Sequence, residues 1–340
     1  GVSLLLASSP DPTSRSNSLP DTPILFFGGK GGVGKTTMAA VAALDAAGRG
    51  HKTLLVSTDP AHSTGDVLAA KLGNQPKLVE DNCWAMEIDP EHEADRYIDG
   101  VKERVAAAAP PRLLSEVYRQ VDIARVAPGA VEAALFDRFT RILEDEANEY
   151  DRIVFDTAPT GQTLRLLSLP ELMTAWMSGL IKRRKKVKSL AKMWQNVAGS
   201  EAIEVNENDP LLSALEDRRG RFHRARLILT DPRKTAFIFV VIPERLPIWE
   251  TEKAMAALSK HEVPLGGVIV NQVLPSPTNG GVEDPFLTKR RAREAIHLAR
   301  ISKHLGHWPI HCVTLQDSDP VGVEELRKIN VQLTPMEAFR

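Results

Sequence analysis

The chain has 340 residues, of which 43% are hydrophobic and 26% are charged, and its formal net charge at pH 7 is −1. This composition is sufficient for one large buried core and excludes a low-hydrophobicity disordered polymer. The near-zero net charge excludes a global polycation of the kind that holds nucleic acid, so no nucleic-acid partner is expected and specificity must come from local sites.

The beginning of the chain predicts a disordered lead over residues 1–22, because residues 7–22 are rich in Ser, Pro, Asp and Thr. No stretch reaches the roughly 18 consecutive apolar residues that a membrane-spanning helix needs. The two cysteines, Cys83 and Cys312, show no C-x-x-C spacing and predict neither a disulfide framework nor a cysteine-built zinc site. We therefore expect a reducing, cytoplasmic location, in solution or peripherally at a membrane.

Short apolar, β-branched runs recur along the rest of the chain, with helical patterns between them. Their near-continuous hydrophobicity predicts strands buried on both faces of a mainly parallel sheet. The expected fold is therefore doubly wound α/β, with about seven or eight strands. The predicted strands are residues 24–27, 53–57, 84–88, 153–155, 236–242, 266–270 and 310–315.

Two helical blocks interrupt this alternation, at about residues 91–149 and 170–228. We expect them to form a helical subdomain above the carboxyl edge of the sheet, inserted in a single domain over residues 23–340. The second block contains a basic run, residues 182–188, which suits either a solvated helix face or contact with an anionic membrane or acidic partner. Its apolar residues from Leu172 to Leu180 suit either core packing or a groove for an apolar helix.

The segment after the first predicted strand contains G-x4-G-K-T, from Gly29 to Thr36. In this motif the glycines turn backbone N–H groups around phosphates, Lys35 supplies positive charge, and Thr36 offers a hydroxyl to Mg²⁺. A chance glycine-rich turn is the alternative, but the preceding strand and the following helical pattern are the context that a phosphate-binding loop requires. A nucleoside triphosphate is the expected ligand. The predicted nucleotide-binding residues here are Gly29, Lys30, Gly31, Gly32, Val33, Gly34, Lys35, Thr36 and Thr37.

Two aspartates follow predicted strands at the edge where the phosphates would bind. Asp59 is the candidate to orient the attacking water, although an aspartate here also suits the cap of the next helix. Asp156 is the candidate for the second Mg²⁺ contact, through a coordinated water, and a purely structural aspartate is the alternative. The Pro-Thr-Gly turn at residues 159–161 can move when the γ-phosphate leaves, which predicts a switch.

Lys30 is not needed to build a phosphate loop, and a lysine at this place resembles the deviant loop of a large group of dimeric ATPases. A solvated lysine is the alternative interpretation. Three further motifs make the resemblance specific: Asp-Pro-Ala-His-Ser at residues 59–63, Pro-Gly-x-x-Glu at residues 128–132, and Asp-Thr-Ala-Pro-Thr-Gly-Gln-Thr-Leu-Arg at residues 156–165. Together they resemble the arsenite-pump-driving and tail-anchored-protein-targeting ATPase family, over about residues 24–329.

The resemblance implies a Mg²⁺-dependent ATP hydrolase that works as a homodimer. It implies that Lys30 reaches the partner's nucleotide and that Asn271 and Gln272 recognise adenine. The implied catalytic residues are Asp59, Lys30 and Lys35. The implied switch residues are Pro60, His62, Thr157, Pro159, Gly161 and Gln162. The sequence departs from the family pattern at Gln162, where His is usual, and at Thr314, near which the family has a proline.

The two branches of this family differ in cargo, and the sequence lacks the cysteine signature of both. Arsenite pumps bind metalloid through thiolates, one of them in the segment that matches residues 126–132, which has no cysteine here. The eukaryotic-type targeting factors carry a zinc-binding C-x-x-C near residues 279–291, which also has none. The favoured interpretation is an arsenite-pump-type ATPase that couples hydrolysis to export or delivery of a cargo.

The alternative is a chaperone that shields and delivers tail-anchored membrane proteins, with an apolar helix as its cargo. Either function implies a membrane-protein partner, which would be a pump or an insertion receptor. A partitioning or division-site protein is disfavoured, because residues 59–62 do not resemble that class.

One further cluster of possible metal ligands lies at residues 307–312, which read His-Trp-Pro-Ile-His-Cys. Pro309 argues against the helical face that would align His307 with His311. A loop that leads into the last strand is therefore favoured over a metal site.

Overall fold

A computed structural model describes residues 19–58, 63–108, 114–126, 130–156, 210–276, 284–330 and 334–335. Most of the second predicted helical block, with its basic run at residues 182–188 and its apolar residues, lies outside the described residues. The candidate water-orienting residue and the predicted switch residues also lie outside them, namely Asp59, Pro60, His62, Thr157, Pro159, Gly161 and Gln162.

A nine-stranded sheet forms the centre of the described residues, in the order β3-β4-β2-β5-β1-β6-β7-β8-β9. Neighbouring strands are parallel except at the two ends, where β3 pairs with β4 and β8 with β9 in antiparallel fashion. The doubly wound α/β class is confirmed, and β3 and β9 were not predicted. The strands are β1 Ile24–Gly28, β2 Thr53–Ser57, β3 Lys77–Glu80, β4 Cys83–Glu87, β5 Arg152–Asp156, β6 Thr235–Val241, β7 Leu265–Val273, β8 Ile310–Thr314 and β9 Thr334–Pro335.

Helices connect these strands, and those between β4 and β5 account for the first predicted helical block. None of the helices in the described part of the chain is both long and apolar enough to cross a membrane. The helices are α1 Lys35–Gly48, α2 Ser63–Leu68, α3 Pro90–Ala108, α4 Leu114–Arg125, α5 Ala130–Asp145, α6 Pro210–Leu229, α7 Arg245–Lys260, α8 Pro285–Leu305 and α9 Val323–Asn330.

The two faces of the sheet carry separate hydrophobic cores, as the alternation along β1 shows. Ile24 and Phe26 face a core that includes residues of α5, α6, α7 and α8. Leu25 and Phe27 face the opposite core, which includes residues of α1, α2 and α9. A strand that is buried on both faces needs an apolar residue at every position. The continuous apolar run in β1 therefore follows from its central place in the sheet.

The helices between β4 and β5 pack together with α6, which belongs to the second predicted helical block. The α3 helix contacts α4, α5 and α6, and α5 also contacts α6. Arg224 of α6 donates to Glu144 of α5, with 2.7 Å between Nε and Oε1. Parts of both predicted blocks thus join in one helical layer, while the boundary of a helical subdomain stays a prediction.

Residues 19–22, predicted to belong to the disordered lead, instead contact the domain. Leu19 packs against the core on the α1 side of the sheet. Arg152, whose side chain is only 4% exposed, donates a charged hydrogen bond to the carboxylate of Asp21, and this ion pair lowers the pKa of Asp21. A buried guanidinium is stable only when a carboxylate or a similar acceptor pairs with it. The pair with Arg152 therefore holds residues 19–22 against the domain.

Two of the possible metal ligands at residues 307–312, for which a metal site was disfavoured, lie in the sheet. His311 and Cys312 are adjacent residues of β8 and are both buried, whereas His307 is exposed before the strand. Within the described ranges, no group of three or more His, Cys, Asp and Glu side chains could hold a metal ion.

His311 predicts a pH dependence of stability. Its ring nitrogens have no hydrogen-bond partner among the described residues, and burial lowers its pKa from 6.5. As pH falls, His311 is therefore protonated at a higher pH in the unfolded chain than in the folded protein. The free energy of unfolding decreases below about pH 6.5, by up to about 1.4 kcal/mol per pH unit. Urea unfolding between pH 7.5 and 5 should show a smaller loss for His311→Phe than for wild type. The exposed His307→Phe is the control, and an unchanged slope in His311→Phe would contradict the assignment.

Candidate functional site

The predicted phosphate loop lies between β1 and α1. Gly34 is the residue before α1 and has a left-handed backbone, with φ 86° and ψ 23°. This conformation favours glycine. With no side chain at this cap and no acidic residue in the first turn, the N–H groups at the start of α1 are suited to an anion such as phosphate.

The loop is held close to the ends of β6 and β7. A Cβ atom on Gly29 would lie 2.5 Å from the carbonyl oxygen of Val240, and one on Gly34 would lie 2.2 Å from Nδ2 of Asn271. The buried Asn271 amide donates a hydrogen bond of 2.9 Å to the carbonyl oxygen of Val33. These two glycines are therefore required by close packing, and Asn271 braces the loop from the neighbouring strand.

Lys35 and Asp156 form a buried ion pair at the centre of the site. The distance from Nζ to Oδ1 is 3.0 Å, and the side chains are 6% and 0% exposed. Parallel pairing of β1 with β5 places Asp156 opposite Phe27, directly before the loop. The carboxylate of Asp156 and the hydroxyl of Thr36 are hard oxygen donors of the kind that Mg²⁺ prefers, so the donor set fits this metal.

The segments that flank residues 59–62 both contact the phosphate site. The N–H of Thr58 donates to the carbonyl oxygen of Asp156 at 3.0 Å. At the far end, the hydroxyls of Ser63 and Thr36 lie 3.1 Å apart. Ser63 belongs to the motif at residues 59–63, but the sequence alone indicated no role for it. The signal for a role is its hydroxyl, directly after the Asp-Pro-Ala-His segment and at the start of a helix.

The start of α2 has a second anchor at the same edge of the sheet. The N–H of Gly65 donates to Oε1 of Glu87 at 2.7 Å, and Glu87 ends β4. Parallel register places Glu87 and Asp156 on either side of Ser57, the last residue of β2. The carboxyl ends of β1, β2, β4 and β5 therefore converge on one site, as expected for an α/β sheet.

The two predicted adenine-binding residues point in different directions. Asn271 is buried against the loop, while Gln272 is exposed and has a positive φ of 58°. This left-handed residue coincides with a register shift between β7 and β8. Gln272 lines a cavity of about 580 Å³ that is formed with residues 242–245 and the α8 residues Phe286, Lys289, Arg290, Arg293, Glu294 and His297.

Lys30 lies at the rim of the site and contacts another residue of the same chain. Its Nζ lies 3.5 Å from Oε2 of Glu250 on α7, and both side chains are about one-third exposed. The sequence did not indicate Glu250, because a glutamate on a helix surface carries no distinguishing pattern. The role of Lys30 across a dimer stays a prediction.

A phosphate loop between the first strand and its helix, with a buried aspartate at the end of the neighbouring strand, defines a P-loop nucleoside triphosphatase. The profile of the anion-transporting ATPase family matches residues 22–335. The chain belongs to this family and is an ATP hydrolase, as the sequence predicted.

Several curated proteins are similar to this chain over most of its length. "ATPase ASNA1 homolog 2" of Paramecium tetraurelia is 36% identical over 258 residues, which are 75% of this chain and 77% of that protein. "Putative arsenical pump-driving ATPase 2" of Aquifex aeolicus is 33% identical over 307 residues, 90% of this chain and 97% of that protein. "ATPase GET3B" of Arabidopsis thaliana is 34% identical over 318 residues, 89% of this chain and 76% of that protein.

Proposed function

We propose that the chain is a Mg²⁺-dependent, homodimeric ATP switch that couples hydrolysis to the handling of a cargo at a membrane-protein partner. One observation carries this proposal: the chain on either side of residues 59–62 is tied to the phosphate site. Thr58 contacts Asp156, and Ser63 contacts Thr36. A change at the phosphates can therefore be transmitted directly to the segments that follow β2 and β5.

Each residue of the site has a distinct part in hydrolysis. Lys35 and the first N–H groups of α1 bind the phosphates, and Asp59 orients the attacking water. Thr36 and Asp156 would hold Mg²⁺, with Asp156 acting through water. When bound there, the metal would supply positive charge against the negative charge that develops on the phosphate oxygens. Lys35 and Asp156 pair with each other in the nucleotide-free protein. With ATP bound, Lys35 would turn to the phosphates, and Asp156 would hold the metal through water.

We propose that adenine is recognised at the end of β7 by Asn271 and Gln272. The position of Gln272 at the cavity supports this role, since a side-chain amide can donate to and accept from the edge of a base. Asn271 would contact adenine while its amide keeps the hydrogen bond to the carbonyl oxygen of Val33 that braces the loop.

The two cysteines are unsuited to binding a metalloid in the way that arsenite pumps do. Cys83 and Cys312 are 0% exposed, and burial raises the pKa of each thiol to about 12. Five strands separate β4 from β8 in the sheet, which puts the two thiols roughly 29 Å apart at about 4.8 Å per strand. A metalloid requires thiolate ligands that converge, and these thiols are protonated and distant.

This chemistry favours the alternative cargo, an apolar helical segment of a tail-anchored protein, over arsenite or antimonite. Binding an apolar segment needs hydrophobic surface and no thiolate. The membrane-protein partner would then be an insertion receptor rather than a pump.

The water-orienting role is tested by Asp59→Asn. We expect nucleotide affinity to stay within about twofold of wild type and ATP turnover to fall on the order of 10²-fold, as is typical for loss of a positioned base. Equilibrium binding of a fluorescent ATP analogue and steady-state hydrolysis measure the two quantities. Asp66→Asn, a carboxylate on α2 outside the proposed site, is the control. Turnover at the wild-type rate in Asp59→Asn would exclude this role.

The cargo class is tested by ATP hydrolysis with arsenite, antimonite, or a tail-anchored peptide. We expect hydrolysis to be unchanged by either metalloid, because both thiols are buried and protonated. The peptide should change the rate and form a complex that survives gel filtration. Stimulation by metalloid that disappears in Cys312→Ala would restore the arsenite-pump interpretation.

A further inference from the structure

Lys30 is paired within its own subunit, although the family resemblance implies that in the proposed homodimer it reaches the partner's nucleotide. Its partner, Glu250, lies in the second turn of α7, and the Nζ–Oε2 distance is 3.5 Å. The α7 helix follows β6, which is the neighbour of β1 in the sheet. The pair therefore links the phosphate loop, which follows β1, to the α7 helix, which follows the neighbouring strand β6.

Both elements that carry this pair are fixed, so that the side chains alone can separate. The loop approaches β6 so closely that a Cβ on Gly29 would clash with Val240. Pro247 and Ile248 bury the first turn of α7 in the core. Lys30 and Glu250 are themselves 36% and 34% exposed, which leaves their side chains room to turn outward.

We propose that Glu250 holds Lys30 within its own subunit and releases it when ATP brings two subunits together. Glu250 thereby sets the protein concentration at which ATP-bound subunits associate. This inference rests on the proposed function, since it takes Lys30 to act across a dimer.

Competition between two anions explains why release depends on ATP. The ammonium of Lys30 is one charge and cannot stay against the Glu250 carboxylate while it contacts a nucleotide in the partner subunit. The triphosphate of ATP carries more negative charge than one carboxylate, so the exchange is favourable when the triphosphate is present. Loss of the γ-phosphate lowers the negative charge of the partner's nucleotide, which weakens its attraction for Lys30 relative to that of Glu250.

The strength of the pair sets the size of the expected effect. Partly exposed ion pairs change an equilibrium by about 1.4- to fivefold each. Because two pairs open for each dimer formed, Glu250→Gln should lower the dimer dissociation constant by about two- to 25-fold. The effect should shrink at high salt, because salt screens exposed charges.

The test is a double-mutant cycle with Glu250→Gln, Lys30→Ala and the double variant. Sedimentation equilibrium with Mg²⁺ and a non-hydrolysable ATP analogue gives each dimer dissociation constant. We expect Glu250→Gln to tighten the dimer in the wild-type background and to have no effect in the Lys30→Ala background. Glu252→Gln is the matched control: it removes a charge from the same helix, but Glu252 pairs with Arg300 at 3.2 Å.

The outcomes separate failure of this inference from failure of the proposed function. If Lys30→Ala dimerises like wild type, the cross-dimer role of Lys30 is wrong and the inference falls with it. If Lys30→Ala weakens the dimer but Glu250→Gln does not tighten it, only the inference is overturned. An effect of Glu250→Gln that persists in the Lys30→Ala background, or that Glu252→Gln reproduces, also overturns it.

Discussion

Replacing Lys35 with alanine is expected to destabilise the nucleotide-free protein by about 3–5 kcal/mol, the cost of leaving a buried charge without its partner. Asp156 is 0% exposed, and its Oδ1 lies 3.0 Å from Lys35 Nζ. A carboxylate in this position cannot recover the lost interaction from bulk water. Urea unfolding of the two proteins at neutral pH measures the difference directly.

A second variant separates the electrostatic cause from a simple packing defect. In Lys35→Ala with Asp156→Asn, no unpaired charge remains, and most of the stability should return. Lys260→Ala, at the exposed end of α7, is the control and should unfold like wild type. ATP hydrolysis should fall at least about 10²-fold in both Lys35 variants, because each lacks the cation that binds the phosphates. If Lys35→Ala alone is as stable as wild type, the pair of Lys35 and Asp156 does not contribute to stability as proposed.

Gly34→Ala is expected to distort the phosphate loop before any nucleotide binds. The φ of 86° costs a non-glycine residue about 1–2 kcal/mol, and the new Cβ would lie 2.2 Å from Asn271 Nδ2. Moving that amide breaks its hydrogen bond to Val33, worth about another 1 kcal/mol. The sum of about 2–3 kcal/mol corresponds to on the order of 10²-fold weaker nucleotide binding if the loop must be restored on binding.

The same loop provides a matched control in Gly31, where an added Cβ would meet nothing within 4 Å. Gly31→Ala should leave the urea midpoint of the nucleotide-free protein unchanged, while Gly34→Ala lowers it. Adding Asn271→Ala to Gly34→Ala should relieve the clash but not the backbone strain. Equal midpoints for Gly34→Ala and wild type would show that the loop tolerates a side chain there.

The sequence predicted the central strands well because their burial leaves an unmistakable pattern. Strands β1, β2 and β6 each contain a continuous apolar run, and the predicted ends differ from the observed ends by no more than one residue. Edge strands leave no such pattern. The β3 strand includes Lys77 and an exposed Leu78, and β9 is described over two residues, one of them proline.

In the candidate site, the features that the sequence predicted are local motifs, and those that it did not predict are contacts between residues far apart in the chain. The loop from Gly29 to Thr36 was evident because its function depends on consecutive residues. The hydrogen bond from Asn271 to Val33 joins residues 238 positions apart, and nothing local in the sequence predicts it. The Lys30–Glu250 pair was equally hidden, because its geometry depends on how α7 leaves β6.

The antiparallel strands at the two ends of the sheet bear on how copies of the chain meet. An open edge of parallel strands invites another chain to pair with it and so to aggregate. Here β3 is short and carries Lys77, and Pro335 in β9 has no N–H to donate. Both edges therefore disfavour backbone pairing between copies, and the homodimer proposed above would form through other surfaces, such as the loops at the carboxyl ends of the strands. Assembly through those loops can respond to a ligand, whereas an extended sheet would be permanent.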